Sequence, residues 1–265
     1  MSGVIHGIHL SDTHIGPSRD FEVRGASSRE RLDRIVRAIG SLDFVPDFVI
    51  HTGDMVDDPD PRSYAVAAEA LAPLGSPLYC VTGNHDDAGM IRDGVPMGPM
   101  TPLTDDPERL TYHFELPGLR SFVLDAKLLG SDDPHGEVPE NQLVALQKAL
   151  AADDKPFAIF VHFPPFGIHS SWIDDHLPLR NGETLHELIR SQSLNRIRGV
   201  FFGHLHRDVQ QYRDGVLYSG VSSPVCEFSV GVEEERFAFC SDCPLVFHQL
   251  SFSEKGVVVK AFAAP

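Results

Sequence analysis

Seven side chains with nitrogen or oxygen donors recur in short motifs along a chain of 265 residues. They are Asp12 and His14 in Asp12-Thr13-His14, Asp54 after Gly53, Asn84 after Gly83, His162 ahead of Phe163-Pro164-Pro165, and His204 and His206 in Gly203-His204-Leu205-His206. In an extended segment alternate side chains face the same way, so Asp12 and His14 can meet one ion, and so can His204 and His206. A carboxylate can bridge two cations, and Asp54 is the natural bridge. The set holds no cysteine; imidazole with carboxylate suits Mn, Fe, Co or Zn. Two such divalent ions, typically about 3.5–4 Å apart, clamp a phosphate and lower the pKa of a shared water from about 15.7 towards roughly 7. The expected chemistry is hydrolysis of phosphate esters by in-line attack of a metal-bridging hydroxide. His85, between Asn84 and Asp86, is placed to face the substrate and protonate the leaving alkoxide. Asp86 either orients that imidazole or serves the fold.

The elements that must position these residues are short apolar runs at 4–10, 48–50, 78–81, 157–161 and 200–202, each ending at one of the motifs. Open α/β sheets gather ligands at the C-terminal tips of their strands. Ser27 and Glu30 have capping-box spacing, and Leu32, Ile35, Val36 and Ile39 then recur at helical period up to Gly40. Asp60-Pro61 reads as the N-cap and first residue of a second helix. The resulting β-α-β-α-β order implies a largely parallel sheet, to which 157–161 returns after a helix at 140–150. Runs at 111–115 and 121–124 read as an antiparallel pair about Pro117-Gly118. Helix-free strands at 216–219, 245–250 and 257–262 imply a second sheet packed on the first. Loops at about 87–110 and 164–181 are expected near the active site. Within the second of these, His169 and Trp172 are the candidates for substrate contact. No linker or repeat divides residues 1–265, so a single domain is expected.

The formal charge of −16 argues against a nucleic-acid polymer as partner, because that affinity rests on Lys and Arg. A small phosphate ester can still bind through local metal charge. No apolar run is long enough for a membrane span, and residues 1–11 lack the basic and apolar regions of a signal peptide, so the expected location is cytoplasmic. The sequence leaves a homo-oligomer open. Four cysteines do not make a disulfide framework: Cys80 reads as a buried thiol, and Cys240-Ser241-Asp242-Cys243 lacks a second pair for zinc.

Taken in order, Asp-x-His, Gly-Asp, Gly-Asn-His-Asp, His and Gly-His-x-His resemble the calcineurin-like metallophosphoesterases, over about three quarters of the chain, Asp12 to His206. The resemblance implies an α/β fold, a four-layer α/β/β/α sandwich of two mixed sheets flanked by helices, with the metals at the sheet ends. It implies one ion at Asp12, His14, Asp54 and His206, a second at Asp54, Asn84, His162 and His204, and His85 as the catalytic histidine. Asp57-Asp58-Pro59 and Asp86 differ from the Ser/Thr protein phosphatases. The motifs are similar to the bacterial branch of class III cyclic-nucleotide phosphodiesterases and glycerophosphodiesterases, although Phe163 stands where many of that branch carry a second histidine. A small phosphodiester is the implied substrate. The alternatives are a phosphomonoesterase with the same site and a catalytically silent metal-binding scaffold for a protein partner.

Overall fold

In a computed structural model, which describes residues 3–131, 133–233, 236 and 238–265, the N-cap expected at Ser27 forms. The Ser27 hydroxyl accepts from the Glu30 amide at 3.3 Å and opens helix α1 (Ser28–Gly40). Leu32, Ile35, Val36 and Ile39 are the buried face of α1. Asp60 caps α2 (Pro61–Leu71), whose first residue is proline. The remaining helices are α3 (Ala88–Gly94), α4 (Glu140–Ala151), α5 (Ser171–His176) and α6 (Gly182–Arg190). No helix among the described residues is long and apolar enough to cross a membrane.

Twelve strands make the two main sheets. In chain order they are β1 (Ile5–Leu10), β2 (Phe48–His51), β3 (Leu78–Cys80), β4 (Thr101–Pro102), β5 (Tyr112–Leu116), β6 (Leu119–Val123), β7 (Phe157–Phe160), β8 (Ile197–Phe202), β9 (Val209–Arg213), β10 (Val216–Gly220), β11 (Leu245–Ser253) and β12 (Gly256–Ala264). The first sheet runs β12-β11-β1-β2-β3, and the second β9-β10-β8-β7-β6-β5-β4. The strands β1, β2 and β3 are mutually parallel, as are β6, β7, β8 and β10. The remaining pairings are antiparallel, so both sheets are mixed.

The sheets stack through aromatic side chains. Phe48 of the first sheet lies 5.6 Å from Phe114 and 6.3 Å from Phe160 of the second, and Phe201 lies 5.8 Å from Phe252. One core joins this layer to α1 and α2, and another joins the outer face of the second sheet to α4 and α6. The order is therefore helix, sheet, sheet, helix: the expected four-layer sandwich.

Three expectations change. The run at 157–161 belongs to the second sheet, because the crossover through α4 lands it parallel to β6. Conversely, the last two strands form a hairpin that completes the first sheet, with β11 antiparallel to β1 from Ile5↔Phe252 to His9↔His248. The stretch 87–110, read as an irregular loop, contains α3, capped by Asp87 on the Met90 amide at 2.8 Å, and the edge strand β4.

Candidate metal centre and cleft

The strand tips are tied together by main-chain hydrogen bonds before any side chain acts. Asp12 N–H donates to Gly53 O at 2.9 Å, His14 N–H to Asp54 O at 3.0 Å, and Gly203 N–H to His162 O at 3.0 Å. The last of these links β7 to β8 in one sheet, and the first two link β1 to β2 in the other. Gly203 brings the sheets together: a Cβ there would lie 1.8 Å from Ser11 Oγ and 2.5 Å from Asp12 Oδ2. Gly83 makes the same kind of approach, with its missing Cβ 2.2 Å from Asp54 Oδ1.

Among the described residues, eight that are not glycine have positive φ, and five of these are Asp12, His14, Asp54, His204 and His206. Left-handed backbone at a residue other than glycine costs of order 1–3 kcal/mol and persists only where its surroundings enforce it. The strain turns each side chain sharply off its strand end into the crevice.

All seven predicted donors converge. Asp12, His14, Asp54 and His206 place one donor atom each within 4.8 Å of one another, and Asp54, His162 and His204 do the same. Asp54 belongs to both groups: Asp54 Oδ2 lies 3.9 Å from His14 Nε2 and 3.4 Å from His162 Nε2. Asn84 Oδ1 is 3.1 Å from His162 Nε2, which puts it with the second group. The ring orientations are fixed from behind, as is usual for imidazoles that hold metals. His162 Nδ1 meets Thr52 O at 2.7 Å and His206 Nδ1 meets Cys226 O at 3.0 Å, so each Nε2 faces inward. Phe163 packs edge-on to His162 at 4.9 Å and against His204 at 4.8 Å, filling the space beside both rings.

This arrangement fits cations. His14 Nε2 faces His206 Nε2 at 3.1 Å, and His162 Nε2 faces His204 Nδ1 at 3.1 Å. Two imidazole nitrogens at that separation repel unless a proton or a metal ion lies between or beside them. Burial opposes ionisation of Asp54, yet His162 and His85 hold its carboxyl well below the usual range. Burial likewise opposes charging His206 and His162, but Asp12 raises the first to about 10 and Asp54 raises the second to about 9. Burial and His162 together lower His204 to about 3. The cage holds ionised carboxylates that require positive charge beside them, and its N/O donors can supply metal ions with ligands in place of protons.

His85 lies at the edge of this cage. Its Nδ1 meets Asp57 O at 2.6 Å, which leaves Nε2 free to face the cleft, and its ring is 4.9 Å from that of His14. Burial lowers the His85 pKa, but Asp54 and the Asp57 carbonyl more than offset it, so the net shift is upward. Asp86, read from the sequence as either its partner or a structural carboxylate, does not touch the ring and takes the second role. Its buried carboxylate accepts from the amides of Gly83 at 3.0 Å and Met55 at 3.2 Å, and from the Tyr64 hydroxyl at 3.3 Å. It therefore shapes the two loops that carry Asp54 and Asn84. Burial and the nearby Asp54 raise it to about 6.

The residue missed in the sequence is Asp57. Its carboxylate lies 3.3 Å from His14 Nδ1, and its carbonyl holds His85. A cleft of about 200 Å³ opens above the cage. Its walls include Trp172 and Leu177 from the 164–181 loop, together with Arg24, Pro134, Phe228 and Phe239. His169 is exposed and lines no part of it; its amide is pinned to Asp174 Oδ2 at 3.0 Å, which turns the chain so that Trp172 faces in instead. No residue of 87–110 lines the cleft, because α3 packs on α2 away from it. Cys80 is buried, and all four cysteines are free thiols.

Comparison with known proteins agrees with this geometry. The chain matches the calcineurin-like phosphoesterase family over residues 7–208. It is 32% identical over 214 residues to the glycerophosphodiester phosphodiesterase GpdQ of Enterobacter lignolyticus, covering 79% of this chain and 74% of that protein. It is 25% identical to the 3',5'-cyclic adenosine monophosphate phosphodiesterase CpdA of Vibrio vulnificus, over 83% of this chain and 77% of that protein. Among solved structures, the purple acid phosphatase PPD1 from yellow lupin seeds aligns with a TM-score of 0.66 at 13% identity, covering all of this chain and 52% of that one. That likeness concerns the fold alone. The family match spans every motif from Asp12 to His206, and the chain belongs to the calcineurin-like phosphoesterases.

Proposed function

We propose that this protein is a phosphodiesterase for small diesters of the cyclic-nucleotide or glycerophosphodiester type, working with two divalent cations. The observation that carries the reading is the pair of donor groups sharing Asp54, with His85 directed at the space above them. The named activities of GpdQ and CpdA support the choice of diester. Asp12, His14, Asp54 and His206 would hold one ion, and Asp54, Asn84, His162 and His204 the other. The donor set suits Mn, Fe, Zn or Co. When bound, such ions lower the pKa of coordinated water and neutralise phosphate oxygens.

The chain's own residues do the rest. Asp54 fixes the two donor groups relative to each other, and its Oδ1 accepts the His85 amide at 2.9 Å, setting the distance from cage to acid. His85 keeps its Nδ1 proton on the Asp57 carbonyl and presents Nε2 to the leaving oxygen, where a proton is needed as the P–O bond breaks. The hydrogen bond from Nδ1 to the Asp57 carbonyl favours the protonated, donating form. Apolar walls from Trp172, Leu177 and Phe228 exclude bulk water from one side.

The test is hydrolysis of bis(p-nitrophenyl) phosphate, a cyclic nucleotide, a glycerophosphodiester and a phosphomonoester by protein of defined Mn, Fe, Zn or Co content. Turnover of diesters above the monoester is expected. His85→Ala should lower kcat by about 10²–10⁴-fold while bound metal is unchanged. Full activity in that variant, or diester turnover without metal, would overturn the assignment.

A further inference from the structure

One wall of the cleft is aromatic and is built from parts of the chain that the metal cage does not use. Trp172 comes from α5, Phe228 and Phe239 from a short antiparallel pair (Glu227–Phe228 with Phe239–Cys240), and Arg24 from the turn after Glu22–Val23. Phe228 stands 5.0 Å from the His206 ring, so the wall begins where the cage ends. From there Phe228 lies 6.3 Å from Trp172 at an interplanar angle of 25°, and 4.6 Å from Phe239. Trp172 is backed in parallel by His176 at 4.7 Å and 10°. The hydroxyls of Ser170 and Ser171 tie α5 to the other segment, donating to Gly231 O at 3.2 Å and Val232 O at 2.8 Å. These rings are only partly buried and share the cleft with His14, Asn84 and His85.

We infer that this wall is a subsite for a flat heteroaromatic group on the substrate, so that among small diesters the site selects nucleoside esters over glycerol esters. The inference rests on the phosphodiesterase reading and narrows it. Planar bases stack on aromatic faces whatever their hydrogen-bonding edge, and Trp172, braced by His176 and Phe228, offers such a face. An aromatic wall could also hold a quaternary ammonium, as in a choline ester. Arg24 decides against that: its guanidinium lies 3.3 Å over the Phe239 ring, so this face already carries a cation, and a second would be repelled. The same planar guanidinium suits a heteroaromatic ring, which it can stack on or donate to.

Trp172 is the only tryptophan of the chain, so its fluorescence reports on the wall directly. The first measurement titrates metal-loaded protein with adenosine, which has no phosphate ester to cleave, and with glycerophosphocholine. Saturable quenching by adenosine, and none by glycerophosphocholine at the same concentrations, is expected. The second compares steady-state kinetics of wild type and Trp172→Ala on 3',5'-cyclic AMP and on glycerophosphocholine. Loss of one stacking face should raise KM for the cyclic nucleotide about ten-fold or more, well beyond any change the same substitution makes in the kinetics of the glycerol ester. Absence of saturable quenching, stronger binding of the choline ester, or equal losses on both substrates would overturn the subsite. Quenching by adenosine in a protein that cleaves no diester would support the subsite and overturn the phosphodiesterase reading instead.

Discussion

Asp57 acts through two atoms on two different histidines, its carboxylate on His14 Nδ1 and its carbonyl on His85 Nδ1. Asp57→Asn keeps the carbonyl and removes only the charge. Loss of a carboxylate behind a metal-holding imidazole typically costs about 10–100-fold in metal affinity, and competition with a chelator should show a loss of that size. Unchanged affinity would mean that His14 is held by other contacts. The sequence made the seven donors legible because each follows an apolar run that can only be a buried strand. Asp57 was not legible: beside Asp58 and Asp60 it reads as one more solvated acid, and only the turn after Asp54 brings it back to His14. The sequence leaves the role of Asp86 open for the converse reason. Adjacency to His85 in the chain says nothing of where a side chain points, and the sharp turn sends Asp86 into the protein while His85 faces the cleft. Trp172 and His169 were equally attractive by type; the Asp174 hydrogen bonds settle which of them turns inward.

At the scale of elements, the cage stands on two sheets that meet through phenylalanines. Phe160 is fully buried, stacked 5.3 Å from Phe201 and 6.3 Å from Phe114, and edge-on to Phe48 at 6.3 Å. Phe160→Ala would leave a cavity between layers that neither sheet can close, at a cost of about 3–5 kcal/mol. Urea unfolding should show this as a lower midpoint with unchanged slope. A loss under about 1 kcal/mol would mean that the layer collapses around the gap. The strands and the helix caps followed from local pattern, because burial on both faces and the capping-box geometry are properties of a few consecutive residues. Which sheet a strand joins is not such a property. The run ending at His162 looks like any parallel-sheet strand, and its neighbour is decided by where α4 sets it down. Helix α3 was hidden by two glycines in seven residues, a composition that weakens the helical signal without preventing one capped turn or two.

Across the whole molecule, histidines outside the cage make the fold sensitive to acid. Burial, joined by His248 and His51, holds His9 well below an ordinary imidazole, and burial lowers His51 to about 4. The unfolded chain takes up protons at these positions below about pH 6.5, while the folded one does not. Their contribution to stability is therefore complete above that pH and is lost as the pH falls towards 4. His51→Gln should lose about 2 kcal/mol less than wild type between pH 7 and pH 5, read from urea titrations at the two values. An equal loss in both proteins would place the acid sensitivity elsewhere.

The donors divide by layer: Asp12, His14, Asp54 and Asn84 hang from the first sheet, and His162, His204 and His206 from the second. Each ion would draw ligands from both. Metal bound there would work as a rivet as much as a reagent, and prising the layers apart would strip both cations in one event. Chelation should accordingly lower the melting temperature.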